Sequence, residues 1–96
     1  MPKSLFTGEY LVFRELLKEL RLQKGLTQVE LSSALGMAQS FVSKYEMGER
    51  RLDFVEVAAL CRQLDITLEE FAKSFARAVQ NSNEAQPAKS RRGRAK

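Results

Sequence analysis

The sequence contains no histidine and only one cysteine among its 96 residues. Without histidine, the chain lacks the commonest general base, the commonest zinc ligand and every Ser-His or Cys-His pair. The scattered carboxylates belong to no recognisable catalytic motif, so we expect no enzymatic activity, no metal site and no cofactor. The single cysteine, Cys61, cannot form an internal disulfide, and its apolar neighbours predict that it is buried in the core.

Long apolar runs are also missing. No stretch of about 18 apolar residues is present, which predicts that the chain does not span a membrane. The N-terminal residues do not have the pattern of a signal peptide, and one cysteine suits a reducing compartment, so we expect a cytoplasmic protein. A chain of 96 residues with 44% apolar and 29% charged residues predicts one soluble globular domain.

Positive charge is concentrated at one end of the chain. The net charge is +4, from 16 basic and 12 acidic residues. Residues 87–96 contain five basic residues and no acid, so residues 1–86 hold 16 − 5 = 11 basic against 12 acidic residues. Since the body of the domain is not basic, any binding of nucleic acid must use a local patch.

The stretch 27–48 predicts two short helices that are joined by a tight turn. Thr27 and Glu30 have the spacing of a capping box at the start of the first helix. Gly36 suits the end of that helix, where a left-handed residue is needed. Met37 follows it and is expected to be buried in the turn.

The second helix of this stretch is predicted over residues 38–46. Val42 and Tyr45 are three residues apart and can face a core. The other side of the helix has an amide, two hydroxyls and an ammonium group but no acid, which suits contacts to base edges and phosphates in a major groove. These outward-facing candidates are Gln39, Ser40, Ser43 and Lys44.

The motifs of this region are Gly-Leu-Thr-Gln, then Leu-Gly, then Gln-Ser, then Tyr-Glu-x-Gly. With them, the chain from about Phe13 to Phe75 resembles the phage-repressor-like (XRE, Cro/CI-like) helix-turn-helix family. The resemblance implies an all-α, compact five-helix lambda-repressor-like DNA-binding domain. Two residues depart from the family pattern. Ala38 replaces a capping Ser or Thr before the second helix, and Ser32 stands where a small Ala usually packs, which requires a backbone acceptor for its hydroxyl.

The resemblance also implies roles for particular side chains. Gln39 and Ser40 match the leading base-contacting positions of the family, and Lys44 matches a later one. A Gln at the first position can both donate to and accept from adenine. Lys44 can bond to guanine or to a phosphate, and Ser43 is a lesser candidate for either contact. Gln28 matches a residue that contacts phosphate and steadies the first Gln of the recognition helix.

Further residues are expected to hold the domain together or to contact the DNA backbone. By resemblance, Arg21 pairs with Glu46 and fastens the recognition helix to the first helix; the alternative is that both are solvated. Thr27, with the first amides of its helix, offers donors to a phosphate. The adjacent Arg50 and Arg51 follow the recognition helix and suit phosphate contacts, with Arg51 the stronger candidate.

The expected organisation has three parts. Residues 1–8 form a loosely ordered N-terminal arm, residues 9–81 form the five-helix domain with its helix-turn-helix at about 27–46, and residues 82–96 form a disordered basic tail. Two further capping boxes are predicted, at the starts of the fourth and fifth helices.

The fifth helix has an apolar stripe that is longer than a small core needs. Its distal members, Phe75 and Val79, are therefore predicted to form an isologous interface with a second copy of the chain. The alternative is that Phe71 and Phe75 only complete the core of the monomer.

These observations predict a sequence-specific transcriptional regulator that binds double-stranded DNA as a homodimer on an inverted repeat. A different class remains open, because chains that resemble this one can be antitoxins or adaptors that act mainly through a protein partner. RNA binding is disfavoured, since no aromatic stacking platform lies beside the basic residues.

Overall fold

The structure is a computed structural model and describes residues 7–84, with the side chains of residues 8–82. In this part of the chain, the backbone forms five α-helices and no strand. The predicted all-α, five-helix fold is therefore confirmed. The helices are α1 Thr7–Lys24, α2 Gln28–Ala34, α3 Phe41–Glu46, α4 Phe54–Gln63 and α5 Leu68–Glu84.

The outer bounds of the helical domain are wider than the predicted range 9–81. Residues 7–8 already belong to α1, and α5 continues to Glu84. No glycine or proline occurs between Leu68 and Pro87, so no residue in that interval forces the helix to stop earlier. The remainder of the expected N-terminal arm and basic tail lies outside the described residues.

Local sequence signals set most of the helix ends. After α2, Gly36 adopts a left-handed φ of +70°, and the Met37 N–H donates to the Ser32 carbonyl at 3.0 Å. This turn anchors the backbone of Met37 but not its side chain, which is 39% exposed, so the predicted burial of Met37 was wrong. The three predicted capping boxes are all present, as the pairs Thr27 with Glu30, Asp53 with Glu56, and Thr67 with Glu70.

The core lies between α3 and the helices that surround it. α1 packs against α3 and α5, α2 packs against α3, and α4 packs against α5. Val42 and Tyr45 are fully buried, as their spacing predicts. The buried apolar residues are Leu17, Leu31, Phe41, Val42, Tyr45, Val57, Leu60, Cys61, Leu64 and Phe71.

Helix α3 is shorter than the predicted range 38–46. It begins at Phe41, whose N–H donates to the Ala38 carbonyl at 2.9 Å in a tighter turn than that of an α-helix. The side chain of Ser40, the residue before the helix, makes no capping hydrogen bond. Gln39 and Ser40 therefore lie in the turn that leads into α3, because no side chain at position 38 caps an earlier start.

Candidate nucleic-acid interface

One side of α3 and the turn before it is exposed and uncharged except for a lysine. Gln39, Ser40 and Lys44 are exposed, and Ser43 is half-buried, with its hydroxyl donating to the Ser40 carbonyl at 3.0 Å. The only acid of residues 38–46 is Glu46, which is buried. The four predicted base-contacting residues are thus brought together at the surface, without a nearby exposed carboxylate on α3 to repel a phosphate.

The inner side of α3 is fixed by a buried ion pair. Arg21 donates from Nε to Glu46 Oε2 at 2.8 Å and from Nη2 to Oε1 at 3.1 Å. Their side chains are only 7% and 4% exposed. The third guanidinium contact runs from Nη1 to the Leu26 carbonyl at 2.8 Å. The structure therefore places Arg21 and Glu46 in contact, which is the arrangement that the family resemblance implies.

Gln28 joins the same network from the first residue of α2. Its Nε2 donates to Glu46 Oε1 at 2.8 Å, so Glu46 is held by one side chain from α1 and another from α2. This bond uses one of the two N–H donors of the amide, and the other N–H can donate to a phosphate, the contact that the family resemblance implies for Gln28. Sequence reasoning did not foresee this partner, because 18 residues separate Gln28 from Glu46.

Ser32 of α2 caps α3 from outside the helix. Its hydroxyl is fully buried and accepts from the Val42 N–H at 3.1 Å. The sequence suggested that this hydroxyl needs a backbone acceptor, whereas the structure gives it a backbone donor. Since the first N–H groups of a helix have no partner within the helix, the Ser32 hydroxyl supplies a cap that Ala38 cannot provide.

The two adjacent arginines of the α3–α4 loop have different surroundings. Arg50 donates to both carboxylate oxygens of Glu56, at 3.0 and 2.8 Å, and its Cζ lies 4.8 Å from the centre of the Phe41 ring. The hydrogen bond from Arg50 holds the pKa of the Glu56 carboxyl below its usual range. Arg51 is exposed and has no ion-pair partner among residues 7–84. Arg51 therefore has more donors available to a phosphate than Arg50 has.

Arg14 is a supporting residue that sequence reasoning missed. Its Nη1 donates to the Glu46 carbonyl at 2.8 Å, at the C-terminal end of α3 where a positive charge is favourable. A Cβ on Gly48, which has a left-handed φ of +84°, would lie 3.0 Å from the Arg14 Cζ. The available signal was the seven-residue spacing from Arg21, which puts both arginines on the same side of α1.

Tyr10 is a second residue that the sequence did not single out. Its hydroxyl accepts from the Leu52 N–H at 3.3 Å, and the Arg51 Cζ lies 4.3 Å from the centre of its ring. The first turns of α1 therefore contact the α3–α4 loop. No periodic signal reports such a contact, because 42 residues separate Tyr10 from Leu52.

The predicted dimer residues lie on the distal part of α5. Phe75 is half-buried, and its ring centre is 6.2 Å from that of Phe13 in an edge-to-face arrangement. Val79 is also half-buried. Phe75 thus packs against α1 of its own chain, and its part in a dimer stays a prediction.

Residues 7–84 offer neither a metal-binding cluster nor a membrane-spanning helix. No group of three or more Cys, Asp or Glu side chains in that range has an arrangement that could hold a metal ion. None of its helices combines the length and the apolar character that crossing a bilayer requires.

Comparison with known proteins agrees with this geometry. The helix-turn-helix family model HTH_3 matches residues 17–71, which is more than half of the chain. A curated relative from Bacillus subtilis (strain 168), the "Uncharacterized HTH-type transcriptional regulator YqaE", is 34% identical over 62 residues. That match covers 65% of this chain and 53% of the relative, so the chain spans about half of the relative's length.

A solved structure extends the likeness to nearly the whole chain. The crystal structure of the clp gene regulator ClgR from Corynebacterium glutamicum superposes with a TM-score of 0.60 and 25% sequence identity. The superposition covers 88% of this chain and 90% of that one. With the family model across α2 and α3 and this common fold, the chain belongs to the XRE-like helix-turn-helix family of transcriptional regulators.

Proposed function

We propose that the chain is a sequence-specific DNA-binding transcriptional regulator that places α3 in the major groove. The observation that carries the proposal is the division of α3 into two sides. The inner side is held by Arg21, Gln28 and Ser32. Lys44 on the outer side and Gln39 in the turn before the helix remain exposed. A rigid helix that presents hydrogen-bonding groups outward is what direct readout of base edges requires.

The candidate DNA-contacting residues have distinct roles in this proposal. Gln39 lies in the turn directly before α3, from which it forms a paired hydrogen bond with adenine. Ser40 and Ser43 contribute hydroxyl contacts, and Lys44 bonds to guanine or to a phosphate. Among the phosphate-contacting candidates, Thr27 lies at the exposed N-cap of α2. Gln28 can contribute through the second N–H of its amide, since Glu46 accepts from the first.

The test is a gel-shift titration with a duplex selected from a random pool. Gln39→Ala and Lys44→Ala are each expected to weaken binding to the selected duplex by about 5- to 100-fold, which corresponds to one lost base contact. The matched controls Gln63→Ala and Lys73→Ala remove the same groups from exposed positions on α4 and α5. If both Gln39→Ala and Lys44→Ala bind the selected duplex as tightly as the wild type, these residues do not contact its bases and the proposed DNA-binding surface is rejected.

We further propose that the regulator binds an inverted repeat as a homodimer. Two α3 helices related by a two-fold axis would lie about 34 Å apart and enter successive major grooves. Phe75 and Val79 are the candidate interface residues on α5. Because Phe75 also packs on Phe13, substituting Phe75 would destabilise the monomer itself. A substitution of Val79 therefore tests the interface more specifically.

Val79→Glu is therefore expected to convert the dimer to a monomer in light scattering and to weaken binding to a duplex with two half-sites. Placing a carboxylate in an apolar interface is unfavourable because the charge loses its hydration. Asn81→Glu is the matched control, since it adds the same charge at an exposed position of the same helix. If Val79→Glu remains dimeric, the interface lies elsewhere.

The second candidate function is an antitoxin or adaptor that acts through a protein partner. It is supported by Phe54 and Val55 at the start of α4, which are each 72% exposed. Large apolar side chains that are adjacent and exposed can form part of a protein-binding surface. If the random pool yields no duplex that binds more tightly than arbitrary DNA, this candidate replaces the regulator.

A further inference from the structure

Tyr10 of α1 contacts the α3–α4 loop at two residues, Arg51 and Leu52. The Tyr10 hydroxyl accepts from the Leu52 N–H at 3.3 Å, and the Tyr10 ring lies 4.3 Å from the Arg51 Cζ. The ring itself is held by Phe13, with ring centres 5.1 Å apart. Tyr10 is half-buried, so it presents one part to the interior of the domain and another to the loop.

Arg51 and Arg50 are held by different kinds of contact: Arg51 lies over the ring of Tyr10, whereas Arg50 forms an ion pair with Glu56. Arg50 donates to Glu56 through both Nη1 and Nη2, and these donors are therefore occupied within the protein. A guanidinium that lies over an aromatic ring is attracted by the π-electrons of the ring, which leaves its edge N–H groups available to an acceptor. Arg51 thus has a restricted position while it keeps donors that can bind an anion.

We propose that Tyr10 is a positioning residue that orients Arg51 toward a phosphate of the DNA backbone. The proposal rests on the proposed function, because it assigns a support to one phosphate contact of the same interface. Binding a flexible arginine side chain costs conformational entropy, and an arginine that is already oriented loses less of it. Arg50 does not share this role; it links the loop to Phe41 and to α4 through Glu56.

A double-mutant cycle between Tyr10 and Arg51 tests the proposal. The probes are a labelled duplex of arbitrary sequence and the selected duplex, each titrated at several salt concentrations. Arg51→Gln is expected to weaken binding to both duplexes equally and to reduce the slope of log affinity against log salt by about 0.9, the value for one phosphate contact. Arg77→Gln is the control, since it removes an equal charge from an exposed position on α5.

Tyr10→Leu is expected to weaken binding by about 2- to 5-fold, the range for one exposed cation–π contact. The same change in the Arg51→Gln background should have no further effect, because the arginine that Tyr10 orients is then absent. A residue that only stabilised the fold would give equal losses in both backgrounds. Equal losses therefore overturn the proposal, as does an Arg51→Gln variant with an unchanged salt slope.

Tyr10→Phe keeps the cycle informative if Tyr10→Leu does not fold. It retains the ring and its packing on Phe13 but removes the acceptor of the Leu52 N–H. We expect a smaller loss of affinity than for Tyr10→Leu, again confined to the background that contains Arg51; an equal loss in both backgrounds counts against the proposal.

The outcomes also separate this proposal from the proposed function. If Gln39→Ala weakens binding to the selected duplex while the Tyr10–Arg51 cycle gives no coupling, α3 reads DNA and only the role of Tyr10 is rejected. If the wild-type chain binds neither duplex, the proposed function and the positioning role are rejected together.

Discussion

Arg21→Met is expected to lower the free energy of unfolding by about 3–5 kcal/mol, the usual cost of removing one partner from a buried ion pair. The Glu46 carboxylate would remain buried and would keep only the hydrogen bond from Gln28. It would lose two charge-assisted bonds, and the Leu26 carbonyl would lose its guanidinium donor. Urea denaturation followed by circular dichroism measures the change.

The matched control is the double variant Arg21→Met with Glu46→Leu. Removing both charges avoids an unpaired carboxylate, so this variant should recover a large part of the lost stability. The recovery is expected to be incomplete, because the Gln28 amide and the Leu26 carbonyl would still lack partners. A loss below about 1 kcal/mol for Arg21→Met alone, which is typical of an exposed ion pair, would contradict the burial of this network.

Arg21→Met is also expected to weaken DNA binding. Glu46 is the last residue of α3, and its side chain connects that helix to α1 and α2. If Arg21 is removed, the recognition surface is less rigid even in molecules that remain folded. We therefore expect weaker binding to the selected duplex at temperatures well below the midpoint of unfolding.

Ser32→Ala is expected to cost about 1–3 kcal/mol, because it leaves the buried Val42 N–H without a hydrogen-bond acceptor. That N–H receives its bond from the Ser32 hydroxyl at 3.1 Å. Ser33→Ala is the control on the same helix, since Ser33 is exposed and its substitution should change stability little. Equal, small effects of the two substitutions would show that the Ser32 hydroxyl is not the cap of α3.

The sequence offers a way to rescue this variant. Ala38 lies where the family usually has a capping Ser or Thr, and its carbonyl now accepts from the Phe41 N–H. A hydroxyl at position 38 would accept from that N–H instead, which frees the Ala38 carbonyl for Val42 in a regular helical turn. Ala38→Ser is therefore expected to restore part of the stability lost in Ser32→Ala. Such a rescue would show that the Ser32 hydroxyl compensates for the missing cap at position 38.

Much of the fold could be predicted because its signals are local. A capping box such as that of Thr27 and Glu30 lies within one turn, and the buried pair Val42 and Tyr45 follows from helical periodicity. Ser43 and Lys44 could be placed on α3 for the same reason, whereas Gln39 and Ser40 lie in the turn before the helix rather than on it. The start of α3 could not be predicted as well, because the cap from Ser32 lies on another helix.

The two loop arginines illustrate the opposite case. Arg50 and Arg51 are adjacent and chemically identical, so the sequence does not show which partners each one has in the folded chain. Their difference arises from what the folded chain brings near them, which is Glu56 and Phe41 for the first and Tyr10 for the second. The sequence nevertheless favoured Arg51 as the phosphate contact, and the donors that Arg51 retains support that proposal.

The sequence by itself determined the all-α fold class, the position of the helix-turn-helix and the membership of the XRE-like family. Each of these depends on local signals, namely apolar periodicity, capping residues and short motifs. Only the tertiary structure decided which partners hold α3. The bonds from Arg14, Gln28 and Ser32 to α3 join residues 32, 18 and 10 positions apart. Such contacts depend on how the helices pack against one another. No repeating pattern in the sequence encodes the distance between two helices.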